Sequence, residues 1–172
     1  MNYQEFLETK KKSFIGSGFE INENELNSNL FDFQKYTVKI ALQKGKFALF
    51  FDCGLGKTLM QLSWADAVYK KTKKPVLILA PLAVVEQTKE EAVKFGINPF
   101  SFNITNYDQL KNIENINQYS GVVLDESSIL KGRDGKLSNL IIETFKNTPY
   151  KLACTATPSP NDHMELGQHS EF

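Results

Sequence analysis

The segment Asp52-Cys53-Gly54-Leu55-Gly56-Lys57-Thr58 places two glycines, a lysine and a threonine within one short stretch. Glycines let backbone N–H groups turn inward on phosphate oxygens. A lysine and a hydroxyl then supply what a nucleoside triphosphate needs, charge on its β and γ phosphates and a ligand for Mg²⁺. In this reading Cys53, Gly54, Leu55 and Gly56 wrap the nucleotide phosphates with backbone, Lys57 binds and activates them, and Thr58 holds the metal. The strict pattern has glycine where Phe51 stands, so a glycine-rich turn carrying an incidental lysine is the alternative.

A second stretch, Val122-Val123-Leu124-Asp125-Glu126-Ser127-Ser128, ends an apolar run with two adjacent carboxylates. Asp125 is placed to hold Mg²⁺ and Glu126 to orient and deprotonate the water that attacks the γ phosphate. Alone, such a pair is an ordinary solvated loop; with the upstream loop it becomes half of a phosphoryl-transfer site.

These residues need elements that bring them together. Short apolar runs at 47–51, 76–80, 100–104, 122–124 and 150–154 alternate with helical periodicity. The helices are predicted at 57 to about 71, 83–95 and near 108–113, and around Leu137, Leu140, Ile141 and Phe145. Apolar strands separated by amphipathic helices predict an α/β, doubly wound, mostly parallel sheet covered on both faces, with ligands at the carboxyl ends of the strands. A helix over 32–44, with Asp32 as N-cap, precedes the first strand. The polar residues 1–30, with lysines at 10–12 and a Gly16-Ser17-Gly18 turn, read as a helix and loop wrapping a domain that spans 31–172.

The 172 residues suit one domain, and 20 basic against 20 acidic side chains exclude a strongly basic chain without excluding a basic face. Arg133 is the sole arginine. Cys53 and Cys154 are too few for a disulfide framework and read as small buried side chains, and the start lacks a secretory core, so a cytoplasmic location follows. No apolar run is long enough to span a membrane. His163 and His169 fall in a polar tail away from metal-ligand spacing, and the 13 phenylalanines read as core, unless Phe31 or Phe33 meets a base.

Taken in order, the motifs resemble the first motor lobe of superfamily-two DEAD/DEAH-type helicases and translocases, closest to the Swi/Snf-like group and its phage-borne members. Residues 52–58 are similar to motif I, which in that group also lacks the first glycine, and Asp125-Glu126-Ser127-Ser128 looks like the Asp-Glu-x-x box. Thr155-Ala156-Thr157-Pro158 resembles the coupling motif III, Leu79-Ala80-Pro81-Leu82 motif Ia, and Ile104-Thr105-Asn106-Tyr107 motif Ib. Leu30-Phe31-Asp32-Phe33-Gln34 resembles the adenine-reading glutamine motif.

The resemblance implies a RecA-like P-loop domain that binds ATP and Mg²⁺ through these residues. Gln34 would read adenine, Thr155 and Thr157 would couple hydrolysis to movement, and Pro81, Thr105 and Asn106 would touch nucleic acid, DNA ahead of RNA. Family motors have a second RecA-like lobe that supplies arginine fingers, in cis or from another chain. Arg133 lies in the wrong motif for that role, so the lobe alone would turn over ATP slowly. A short interaction module that binds a protein or nucleic-acid partner is the second reading, and a small P-loop kinase the third.

Overall fold

The structure, a computed structural model, describes residues 16–131, 135–158 and 166–172. Lys10 to Lys12, Arg133 and His163 lie outside the described residues. Five strands form one sheet: β1 (Lys46–Phe50), β2 (Val76–Ala80), β3 (Phe102–Asn106), β4 (Gly121–Asp125) and β5 (Tyr150–Thr155). Every neighbouring pair is parallel, in the order β1-β5-β4-β2-β3. The expected doubly wound α/β fold is therefore present.

The order explains where ligands must go. The chain leaves β1, crosses to β2 through α2 (Lys57–Thr72), continues to the edge strand β3 through α3 (Val85–Lys94), then reverses. It returns through β4 and α4 (Lys136–Phe145) to β5, between β4 and β1. Right-handed crossovers travelling in opposite directions put their helices on opposite faces, and the point of reversal opens a crevice at the carboxyl ends of the strands.

Alternation along the strands divides the core accordingly. Val76, Ile78, Val123, Leu152 and Cys154 face the layer built from α2, α3 and α1 (Asp32–Lys44). Leu77, Leu79, Val122, Leu124 and Ala153 face Ile141 and Phe145 of α4, with Tyr107, Leu110 and Phe172. β2 is wholly buried, as expected of a strand with both faces covered. Helix α2 departs from the expected amphipathic pattern: Met60, Leu62, Trp64, Ala65 and Val68 are all fully buried, because α1 covers the side away from the sheet.

Local chemistry moves several boundaries. Phe31, not Asp32, is the N-cap of α1, and Gln34 at the third helical position reaches back to its N–H; Asp32 opens the helix, where a carboxylate meets the positive dipole end. The predicted helix at 83–95 is a 3-10 turn, Leu82–Val84, followed by α3. β3 starts two residues late because the Asn98 side chain accepts the Phe100 N–H and its carbonyl accepts from Ser101, forming a turn. Thr105 and Asn106 therefore end the strand rather than follow it.

Two expectations about burial fail in part. Phe31, Phe33, Phe50 and Phe100 are exposed, the first three near the end of β1 and the loop after it. Cys154 is buried but Cys53 is exposed, since it rides on a loop with no layer above it. No helix among the described residues is long and apolar enough to cross a membrane.

The segment before α1 packs on the same core through Leu26 and Leu30. Its start runs alongside the end of α1, with Ser17 N–H donating to Lys44 O and Phe19 N–H to Leu42 O. The last helix, α5 (Leu166–Glu171), closes the other face. Lys151 of β5 is buried and donates from Nζ to the Phe172 carbonyl just past α5, a cation at a helix C-terminus. Burial, helped by the charge of Lys46, lowers its ammonium to about 8.

A Cβ on Gly18 would lie 1.8 Å from the Leu42 carbonyl oxygen, which is fixed by the helix. Gly18→Ala should therefore lower unfolding free energy by about 1–3 kcal/mol, seen as an earlier denaturant midpoint. An unchanged midpoint would show that this segment does not pack as described.

Candidate nucleotide and nucleic-acid site

Residues 51–56 join the end of β1 to α2, and two of them require glycine. Gly54 has φ 81° and Gly56 φ 72°, in the left-handed region where a side chain is penalised. At Gly56 a Cβ would also lie 2.4 Å from Gln34 Nε2, so loop and amide are in direct contact. The Asp52 carboxylate accepts the Cys53 N–H at 2.8 Å. Lys57 opens α2 and folds back over the loop, donating from Nζ to the carbonyls of Phe51 at 2.9 Å and Asp52 at 3.0 Å. The positive end of α2 and this ammonium thus serve the same few ångströms of loop.

Gln34 is buried rather than exposed at its helix start. Its Oε1 accepts from Phe31 N–H, and its Nε2 donates to Leu55 O at 2.9 Å. The amide therefore braces the loop from beneath. Phe31 and Phe33 stack nearly parallel beside it, and Phe33 reaches Phe51.

The acidic pair arrives from β4. Asp125 is its last residue, and its Oδ1 accepts from Gln61 Nε2 at 2.7 Å. Gln61 lies one turn beyond Lys57 on α2, so the loop's helix and the end of β4 are joined directly. Burial raises the Asp125 carboxyl above the ordinary carboxylate range and Glu126 pushes the same way, while the Gln61 bond, a backbone bond from Glu126 and the Lys57 charge oppose them. A carboxylate so placed gains most from a cation. Among the described residues no group of three or more His, Cys, Asp or Glu could hold a metal by itself. The donor set of Asp125 and the Thr58 hydroxyl suits a hard cation shared with phosphate oxygens.

Glu126 has φ 55°, a left-handed conformation that costs about 1–3 kcal/mol for a residue with a side chain. Bonds on both sides hold it there. Tyr107 donates its hydroxyl to the Asp125 carbonyl at 2.6 Å, and Ile129 N–H donates to the Glu126 carbonyl. Burial raises the Tyr107 hydroxyl pKa further, keeping it a donor. The Glu126 Oε1 accepts from Thr155 Oγ1 at 2.6 Å and from Ser128 Oγ at 2.9 Å. Thr155 also accepts the Thr157 N–H at 3.0 Å. The stretches Asp125–Ser128 and Thr155–Thr157 are thus one hydrogen-bonded unit, carried by the adjacent strands β4 and β5.

Beyond Glu126, over the ends of β4, β2 and β3, lies a cleft of about 410 Å³ whose walls include Pro81, Leu82, Asn106, Asp108 and Ser128. Glu126 forms part of its wall, so the acidic pair stands between the loop and the cleft. Asn106 Oδ1 accepts from Gln109 N–H and caps the turn Tyr107–Asn112. Thr105 lies in β3, beside β2.

Sequence reasoning missed Gln61, Tyr107 and Ser127. Gln61 carried a signal: it is four residues after Lys57, hence on the same helix face, amid Leu59, Met60, Leu62 and Trp64. Tyr107 and Ser127 stand inside the quoted stretches 104–107 and 125–128, but nothing local gave either a role, since both act across sequence-distant elements. His169, assigned to a polar tail, instead lies in α5 with Nε2 3.0 Å from Ser127 Oγ.

Residues 23–146 match the family model described as type III restriction enzyme, res subunit. No curated protein matches the chain. Among solved structures it is similar to the SWI2/SNF2 ATPase core of Sulfolobus solfataricus in complex with dsDNA, with TM-score 0.70 and 22% identity over 88% of this chain and 37% of that one. It is similar also to the UvsW helicase of bacteriophage T4, with TM-score 0.71 and 17% identity over 100% of this chain and 66% of that one. The Hef helicase domain of Pyrococcus furiosus gives TM-score 0.69 and 19% identity over 84% and 36% of the respective chains. The chain thus spans between about a third and two thirds of the length of these structures. A glycine loop, an acidic pair and the threonines at the end of β5, all on a five-stranded parallel sheet, accompany that match, and the chain belongs to the type III restriction enzyme res subunit family, with a RecA-like fold.

Proposed function

We propose that the chain is the ATP-binding lobe of a nucleic-acid-dependent helicase or translocase. The observation that carries this is the Gln61–Asp125 bond, which fixes the lysine-bearing helix against the acidic pair at one strand edge. Membership of the family and the helicase likeness of the fold support nucleotide use.

The roles follow from position. Backbone N–H groups of 53–56 and the start of α2 bind the phosphates, and Lys57 exchanges its loop carbonyls for them. Mg²⁺ held by Thr58 and Asp125 would neutralise charge on the β and γ oxygens. Glu126, aimed by Thr155 and Ser128, accepts the proton of the attacking water. Gln34 retains one N–H and one lone pair for the adenine edge after bracing the loop, and ATP should bind better than GTP.

Because Glu126 also walls the cleft, a strand lying against Pro81, Thr105 and Asn106 would reach the acidic pair through one residue. DNA is proposed ahead of RNA, since the SWI2/SNF2 core named above was solved with dsDNA. Charge stabilisation by an arginine from a second lobe is worth ~10³ or more in rate, so a lobe of this kind without its partner hydrolyses slowly.

Lys57→Ala should weaken ATP binding by at least about 100-fold, whereas Glu126→Gln should bind within about threefold of the parent and lose hydrolysis. Equal ATP affinity for the parent and Lys57→Ala, measured by titration calorimetry, would refute the loop assignment. Thr155→Val removes one hydroxyl at nearly constant volume, so turnover should fall about 10-fold with ATP affinity unchanged. Parent-like turnover in that variant would show that the bond to Glu126 does not aim it.

A further inference from the structure

His169 stands outside every motif recognised in the sequence, yet it touches the Asp125–Ser128 stretch and the strand end that leads into the glycine loop. Its Nε2 lies 3.0 Å from Ser127 Oγ, in the residue after the catalytic carboxylate. Its ring meets Phe50 edge-on, with centroids 5.3 Å apart and planes at 88°, and Phe50 is the last residue of β1 before the phosphate loop. Ser127 is fully buried, so its hydroxyl needs a protein partner.

The surroundings make the contact consequential. Glu126 is held in a left-handed conformation, with Tyr107 fixing the peptide on its N-terminal side. The residue that follows is fixed through its side chain by His169. Release of that side would let the backbone of 126–128 relax toward an ordinary conformation and turn the carboxylate away from Thr155. Helix α5, which carries His169, is itself fastened just past its C-terminal end by Lys151.

We infer that His169 is a positioning residue for Glu126: through Ser127 it locks the strained turn that aims the carboxylate, and through Phe50 it ties that turn to the base of the phosphate loop. Helix α5 is thereby part of the hydrolytic site. This inference rests on the ATPase reading above.

Substitutions separate the bond from mere packing. His169→Phe keeps a ring of similar size against Phe50 and removes the nitrogen. His169→Gln loses the ring but returns an amide at nearly the same distance from the backbone. Single-turnover hydrolysis of radiolabelled Mg·ATP, with the full chain in excess, reads the chemical step even when it is slow. His169→Phe should slow that step about 10-fold while the ATP dissociation constant stays within about twofold, and His169→Gln should restore most of the rate. Ser127→Ala should reproduce the loss, and the double variant should be no slower than either single one. A parent-like rate in His169→Phe, or no recovery in His169→Gln, would overturn the inference, provided Lys57→Ala still abolishes ATP binding in the same assay. Intact binding in Lys57→Ala would instead place the failure in the ATPase reading.

Discussion

Parallel strands all end at one edge of the sheet, and at that edge the Asp125 carboxylate is drawn half out of water with one oxygen held by Gln61. Burial works against its charge, and what compensates is local: an amide hydrogen bond, and the ammonium of Lys57 on the same helix. Helix α2 must therefore keep one rotation and one height relative to β4. Its buried residues, Met60, Leu62, Trp64 and Ala65 among them, fix that setting by packing on the sheet and under α1. The place of the glycine loop is then a consequence of where α2 begins.

The neighbouring carboxylate is governed by backbone strain rather than burial. Glu126 occupies a left-handed conformation that its own sequence does not favour, and bonds from Thr155, Ser128 and Tyr107 hold it. Two of these partners come from other strands or turns, Thr155 from β5 and Tyr107 from the turn after β3. A small movement of either would change where the carboxylate points. This is a physical route from the cleft over β2 and β3 to the acidic pair, because Tyr107 lines that cleft and touches the peptide between Asp125 and Glu126.

Much of this could be read from residue order. The apolar runs at 76–80 and 122–124 marked the buried parallel strands β2 and β4. The positions of Gly54 and Gly56 marked a turn that only glycine makes, and the carboxylates at the end of a strand marked the ligand edge. The places where reading failed share one cause. Phe31, Phe33 and Phe50 look like core until the strand edge leaves them uncovered. His169 looks like tail until α5 folds back against Ser127. Each depends on an element far away in sequence, which periodicity and local turn chemistry do not encode.

A crystal structure of the chain with Mg²⁺ and a non-hydrolysable ATP analogue tests the central claim most directly. The account predicts the triphosphate between 53–58 and Asp125, with Lys57 Nζ moved from the Phe51 and Asp52 carbonyls onto phosphate oxygens and Mg²⁺ between Thr58 and Asp125. Nucleotide bound elsewhere, or bound at the loop while Lys57 stays on its carbonyls and Asp125 remains remote from the metal, would contradict it.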